Sequence, residues 1–398
     1  MRRLTYLDGL RGLAAMQVVA QHYTQAFAPV WTYKLGFLAN GQYAVHVFFL
    51  MSGLVLTGSF ERAPFDIAIN VLRRVIRLSG PAFMATAIAG GIALIAGGVF
   101  SQAAKVSRSG LVVHPHMHNF VFDLSQILCL TGYKETTLFR RMPFLPSIMN
   151  SVNTPIWTLH VEFWGSIWIL ALVALRARSQ LVYLVVLALS VPVMGTTPLA
   201  LFTIGHLAAL AMRRDRKILS VPSWVITLSA SALLAFGLLL CSASALHLRI
   251  VQNGALIPSG LRNFDWFDQQ IEVGAVAIFL GLLAAPWLQR LLSMAVPQFL
   301  GRISFSIYLI HWPIMLSLGS FTYLQAHSAL RPLSAAGVAF IVGMAVSIPV
   351  AILFERFVDQ PMVSVARRIA RAGRLQKGIA PPEQRGADAD LIDSTERA

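Results

Sequence analysis

The stretch YLDGLRGLAAMQVVAQHY, from Tyr6 to Tyr23, sets Asp8, Arg11, Gln17, Gln21 and His22 into a run that is otherwise apolar enough to enter a membrane. A charge at bilayer depth costs about 3 kcal/mol even on lenient insertion scales, so a helix that keeps such groups turns them toward a protein interior or a wet cavity. Arg11 and His22 are eleven residues apart, which returns a helix to within roughly 20° of the same face about 16 Å further along. One face therefore shows a fixed cation near one end and, near the other, an imidazole that titrates close to working pH. Two plainer readings compete. Arg2, Arg3 and Ala26-Phe27-Ala28 suggest a secretory signal peptide, which Asp8 and Arg11 oppose by interrupting the apolar region. The other is a polar face that only joins helices together.

Further along, NVLRRVIRLSGP places Arg74 and Arg77 three residues apart on one helix face. Two guanidinium forks there can grip a phosphate-rich ligand or, as stop-transfer charge, lipid headgroups. In TPIWTLHVEFWGSIW, Glu162 is the carboxylate that lies well inside an apolar span, since Asp8, Glu272 and Glu355 sit near span ends. It needs a His, Arg or hydroxyl partner. In FLGRISFSIYLIHWPIMLSLGSF, Ser304, Tyr308 and His311 recur at four and then three residues, two hydroxyls and an imidazole on one face. HPHMH (His114, His116, His118) has no neighbouring carboxylate or thiolate and is broken by Pro115, so it reads as a solvated loop and no metal site is expected. Cys129 and Cys241 sit in apolar surroundings without the spacing of a disulfide framework or metal site, and His206 and Glu272 read as structural. No P-loop, GxGxxG, GxSxG or HExxH pattern occurs, so nucleotide hydrolysis, dinucleotide redox, serine hydrolase and zincin chemistry lack a motif.

The elements that must position these residues are membrane helices. The chain is 56% hydrophobic and 12% charged, with apolar runs of about twenty residues from end to end. The expected fold is an all-α polytopic transmembrane bundle of about ten spans. The expected division is a membrane domain over residues 1–361 and a basic, then polar, disordered cytoplasmic tail over 362–398. The long outer segment from Ser101 to Pro155 is the least regular, and its apolar run Phe120 to Leu130 is short enough to be re-entrant or interfacial. A net charge of +15 would suggest nucleic acid in a soluble protein, but its distribution argues for a bilayer as the partner instead. With ten spans, 22 of the 32 Lys and Arg residues fall on the N-terminal side and nine on the other. Both termini are then cytoplasmic.

Taken together, the motifs resemble the acyltransferase 3 family of integral membrane acyltransferases. YLDGLRGLAAMQVVAQHY is similar to the family's opening motif through Arg11 and His22. FFLMSG (Phe48 to Gly53) resembles its second-span element, and Arg74 with Arg77 resembles its cytoplasmic RxxR. WTLHVEF (Trp157 to Phe163) is similar to its WSLxxE element, with Thr158 for Ser and Glu162 in place. SFSIYLIHWP resembles its SxxxYLxH element through Ser304, Tyr308 and His311. The resemblance runs from residue 4 to about 361, and five motifs in order are far more specific than any one.

The resemblance implies a multi-pass protein of the bacterial inner membrane. It implies an acyl-CoA donor, acetyl-CoA or similar, taken from the cytoplasm as a co-substrate and not as a bound cofactor. The acyl group would go to a hydroxyl of a carbohydrate or lipid-linked carbohydrate at the cell surface or in export. On this reading His22 is the general base, Glu162 orients it or neutralises its imidazolium, and Arg11, Arg74 and Arg77 hold the CoA phosphates. Ser304, Tyr308 and His311 bind the acceptor or the oxyanion, or give structural support. The rival is a transporter of an acyl group or acylated sugar, which would use the same intramembrane ionisable groups and leave its cargo unchanged.

The charge distribution makes the topology testable. Reporter fusions after Arg62, Arg214 and Gln376 should report the cytoplasm, and fusions at Ser107 and Asn253 the opposite side. Fusions at Arg62 and Ser107 reporting one side would refute the span assignment.

Overall fold

The computed structural model describes residues 4–96, 98–111, 152–194, 198–213, 223–242 and 269–376, and among them the regular elements are all helical. In chain order the α-helices are α1 (Thr5–Phe27), α2 (Pro29–Lys34), α3 (Gly41–Phe60), α4 (Ile67–Ala96) and α5 (Val99–Ser107). Then come α6 (Trp157–Arg178), α7 (Gln180–Met194), α8 (Leu199–Ala211), α9 (Ser223–Ser242) and α10 (Gln269–Ala284). The last five are α11 (Pro286–Leu292), α12 (Ala295–Ile314), α13 (Ser320–His327), α14 (Pro332–Phe354) and α15 (Gln360–Gln376). Six helical stretches among the described residues are long and apolar enough to cross a membrane, or seven if α10 and α11, bent by 94° at Ala285, form one span. α1 is long enough but falls outside that set, because its polar face lowers its mean hydropathy. HPHMH, Phe120 to Leu130, Cys129 and the tail from Lys377 lie outside the described residues.

Helix packing in lipid gains nothing from hiding apolar side chains from water, so small residues that let backbones meet carry much of it. α1 and α12 run parallel and touch where Gly12 faces Gly301: a Cβ on Gly12 would sit 2.5 Å from the Gly301 nitrogen, and one on Gly301 would overlap the Asp8 carbonyl. That contact sets the register that puts Arg11 beside Ser304 and His22 beside His311.

A second device fixes α6 against α12. Pro313 cannot donate to the carbonyl four residues back, that of Leu309. The Nδ2 of fully buried Asn153 donates to this oxygen at 3.1 Å. Asn153 leads directly into the short 3-10 turn Thr154–Ile156 and α6, so the proline sets where α6 begins. Just past it, Met315–Gly319 forms a π-turn, and a second π-turn, Glu355–Asp359, joins α14 to α15. At one end of the bundle, Glu61 pairs with Arg176 at 3.2 Å and with Arg213, tying the ends of α3, α6 and the segment after α8.

The expectation of a disordered tail over 362–398 is corrected for residues 362–376, which are helix. Met362, Ala366 and Ile369 recur at helical spacing and are buried or half-buried, with Met362 lying against Gly80 of α4. That face anchors an otherwise basic, exposed helix.

Replacing Gly12 with Leu should lower stability in detergent by about 2 kcal/mol or more, as overpacking does, read as a lower Tm. Gly91→Ala, where nothing lies within 4 Å of an added Cβ, should leave Tm unchanged or raise stability by about 0.5–1 kcal/mol.

Candidate active site

Two cavities lie back to back between α1, α3, α6 and α12, the first closed also by α4. The first, of about 140 Å³, is lined by Arg11, Arg74, Arg77, Glu162, Ser52 and Ser304, with aromatic walls from Phe48, Phe49 and Phe305. Arg74 Nη2 donates to Glu162 Oε1 at 2.7 Å, and Ser52 Oγ donates to the same oxygen at 2.9 Å. Arg11 is aimed by Asp8 at 3.1 Å and donates through Nε to Ser304 Oγ at 3.2 Å, while that hydroxyl donates to the Gly301 carbonyl at 2.8 Å. Asp359, brought in by the second π-turn, acts electrostatically on Arg77. A cluster of guanidinium forks, with carboxylates holding them in place, suits a ligand with several anionic oxygens.

The second cavity, of about 270 Å³, is lined by His22 together with Gln21, Gln25, Gln42 and Trp157. His22 Nδ1 lies 2.8 Å from His311 Nε2, with the rings parallel to within 2°. The tautomers follow from His311. Its Nδ1 faces the carbonyls of Tyr308 at 2.8 Å and Ile307 at 3.1 Å, which only accept, so Nδ1 carries the proton and Nε2 is the acceptor. His22 therefore donates from Nδ1, leaving its Nε2 as a free base. The edge of Trp312 against the His22 ring, centroids 5.0 Å apart, fixes its plane.

Val45, Thr158 and Tyr308 line both cavities and form the wall between them. The Tyr308 hydroxyl donates to the Pro155 carbonyl at 2.6 Å, so the Thr158 hydroxyl, 2.7 Å away, donates to the Tyr308 oxygen. Tyr308 is thus pinned at both functions of its hydroxyl.

The structure brings Arg11, Arg74, Arg77, Glu162 and Ser304 into one cavity, joins His22 to His311, and puts Tyr308 between the two groups. It does not join Glu162 to His22. Glu162 lies one turn beyond Thr158 on α6, on the arginine side of the wall, and its partners are Arg74 and Ser52. The partner expected of the carboxylate at His22 is instead a second imidazole. Ser52 lies in FFLMSG, but nothing in that run marks it as the hydroxyl partner of Glu162. Asp359 carried no local signal, because a π-turn in a distant helix delivers it. Val45 looked like one more apolar residue of its span.

Residues 4–356 match the family described as "Acyltransferase domain". The chain is 25% identical over 375 residues to O-acetyltransferase PaAT-1 of Phomopsis amygdali, covering 79% of this chain and 73% of that protein. It is 32% identical over 113 residues to acyltransferase clz18 of Cochliobolus lunatus. It is 26% identical over 114 residues to acyltransferase R4 of Phoma sp. (strain ATCC 20986 / MF5453). Each of the last two matches covers 27% of this chain and 24% of the relative. No solved structure matches.

The side chains of Arg74 and Glu162 are only 10% and 18% exposed. Glu162→Gln leaves the Arg74 charge without its counter-ion and should destabilise the protein by about 3 kcal/mol. Replacing both, Arg74→Met with Glu162→Leu, should recover much of that loss in a detergent melt. A double variant no more stable than Glu162→Gln would show that the pair is not what matters there.

Proposed function

The chain belongs to the acyltransferase 3 family, and from that premise we propose that this membrane O-acyltransferase moves a short acyl group, acetyl or similar, from acyl-CoA to a hydroxyl of a carbohydrate or lipid-linked carbohydrate. The observation that carries the proposal is the His22–His311 relay, which leaves a free imidazole nitrogen in a cavity backed against a nest of arginines.

In this reading Arg11, Arg74 and Arg77 bind the CoA phosphates, and the thioester carbonyl reaches the wall of Val45, Thr158 and Tyr308. The acceptor hydroxyl enters the cavity of His22, where the amides of Gln21, Gln25 and Gln42 beside Trp157 suit a polyhydroxylated ring. His22 Nε2 takes the hydroxyl proton as the oxygen attacks the thioester carbon. The imidazolium is held by its Nδ1–H bond to His311, so His311 does the orienting first assigned to Glu162. As the tetrahedral intermediate collapses, the C–S bond breaks and the proton passes from His22 to the leaving thiolate. Ser304 positions Arg11, Glu162 positions Arg74, and Tyr308 holds the wall.

About ten spans, with both termini and the arginine cavity on the cytoplasmic side, belong to the same proposal and rest on the loop charges. A bacterial inner membrane is the proposed location by resemblance of motifs, although the relatives named above are fungal.

The test is purified protein with acetyl-CoA and a carbohydrate acceptor, followed by thiol release and the mass of the product. His22→Gln keeps volume and hydrogen bonding without a titrating nitrogen. It should accumulate normally, bind acyl-CoA as the parent does, and lose transfer by roughly a hundredfold or more. Transfer at the parent rate in His22→Gln would remove His22 as the base. A cargo moved across the bilayer chemically unchanged would replace the transferase reading with transport.

A further inference from the structure

Three residues separate the two cavities, and they are not equally constrained. Tyr308 is held by Pro155 and Thr158, and Thr158 by Tyr308. Both side chains are therefore fixed by hydrogen bonds that a bulkier acyl group would have to break. Val45 is 9% exposed, on α3, with a side chain that can make no hydrogen bond. Its branched carbon gives it one strongly preferred rotamer in a helix, so it presents a fixed apolar shape to both cavities.

We propose that Val45 is the residue that sets acyl-chain length. This rests on the acyl-CoA reading above. If the donor is anchored by arginines on one side of the wall and the base waits on the other, the reacting carbon must lie at the wall. The part of the acyl group beyond that carbon then lies against Val45, whose bulk decides how many methylenes fit. Neighbouring walls give little room, since Phe48, Phe49 and Phe305 enclose the arginine cavity. A pocket of this kind separates chains differing by one methylene by roughly 10- to 200-fold at most.

The experiment compares kcat/KM for acetyl-, propionyl-, butyryl- and hexanoyl-CoA in the parent, Val45→Ala, Val45→Ile and Val45→Thr. Val45→Ala should raise the butyryl-to-acetyl ratio by roughly tenfold or more, and Val45→Ile should lower it below the parent's. Val45→Thr, nearly the same shape, should keep the parent ratio, which separates width from polarity. If removing two methyls leaves too little folded protein, the Ile and Thr pair still decides. A parent ratio retained in every folded variant overturns the inference while leaving the acyl-CoA reading intact. A parent that transfers no acyl group from any of the four thioesters overturns that reading and this inference with it.

Discussion

Everything at the site depends on how closely α1 approaches α12. With glycine at positions 12 and 301 the two backbones touch, and a parallel pair in contact keeps one register along its whole length. Arg11 reaches Ser304 and, three turns further on, His22 reaches His311. Neither pair is large in isolation: the neutral His22–His311 bond contributes about 1 kcal/mol net and the charge-assisted Arg11–Ser304 bond about 1.5–3 kcal/mol. Their value is placement: the same contact that aims a cation into one cavity aims a base into the other.

The low-dielectric surroundings explain why so many polar groups here occur in linked sets. Where lipid or packed helices replace water, a backbone carbonyl freed by proline must be satisfied by protein. Asn153 satisfies the Leu309 carbonyl opposite Pro313 and, in doing so, locates the start of α6. The same logic holds at the bend between α10 and α11. There Gln289 Nε2 donates at 3.0 Å to the carbonyls of Leu282 and Leu283 at the end of α10, the first of which also accepts from the Ala285 N–H at 3.2 Å. These are helix-end corrections, yet the first of them brings Thr158 and Pro155 to Tyr308 and so builds the wall between the cavities.

The arginine cavity shows how a cluster of like charges is held together before any ligand arrives. Asp8 and Glu162 each take one guanidinium, and Asp359 acts on the third. Glu162 on α6 and Asp359 at the α14–α15 junction couple those elements to the arginines of α4, whereas Asp8 holds Arg11 within α1 and Ser304 ties it to α12.

The sequence by itself determined the solvent, the element type and the list of chemical groups. Long apolar runs can only be helices in a bilayer, and polar residues retained there are costly enough that Arg11, His22, Arg74, Glu162, Ser304, Tyr308 and His311 stand out without any coordinates. Helical spacing also put Ser304, Tyr308 and His311 on one face, as observed. Partnership was decided by tertiary structure. Nothing in the spacing says that Glu162 on α6 meets Arg74 on α4 and not His22 on α1, because that depends on where α6 starts relative to α12. Asp359 reaches the arginines only through a π-turn, and Met362, Ala366 and Ile369 become an anchoring face only once Gly80 offers a groove. Val45 was chemically silent in the sequence, an apolar residue among apolar residues. Its position in a wall between two cavities exists only in three dimensions.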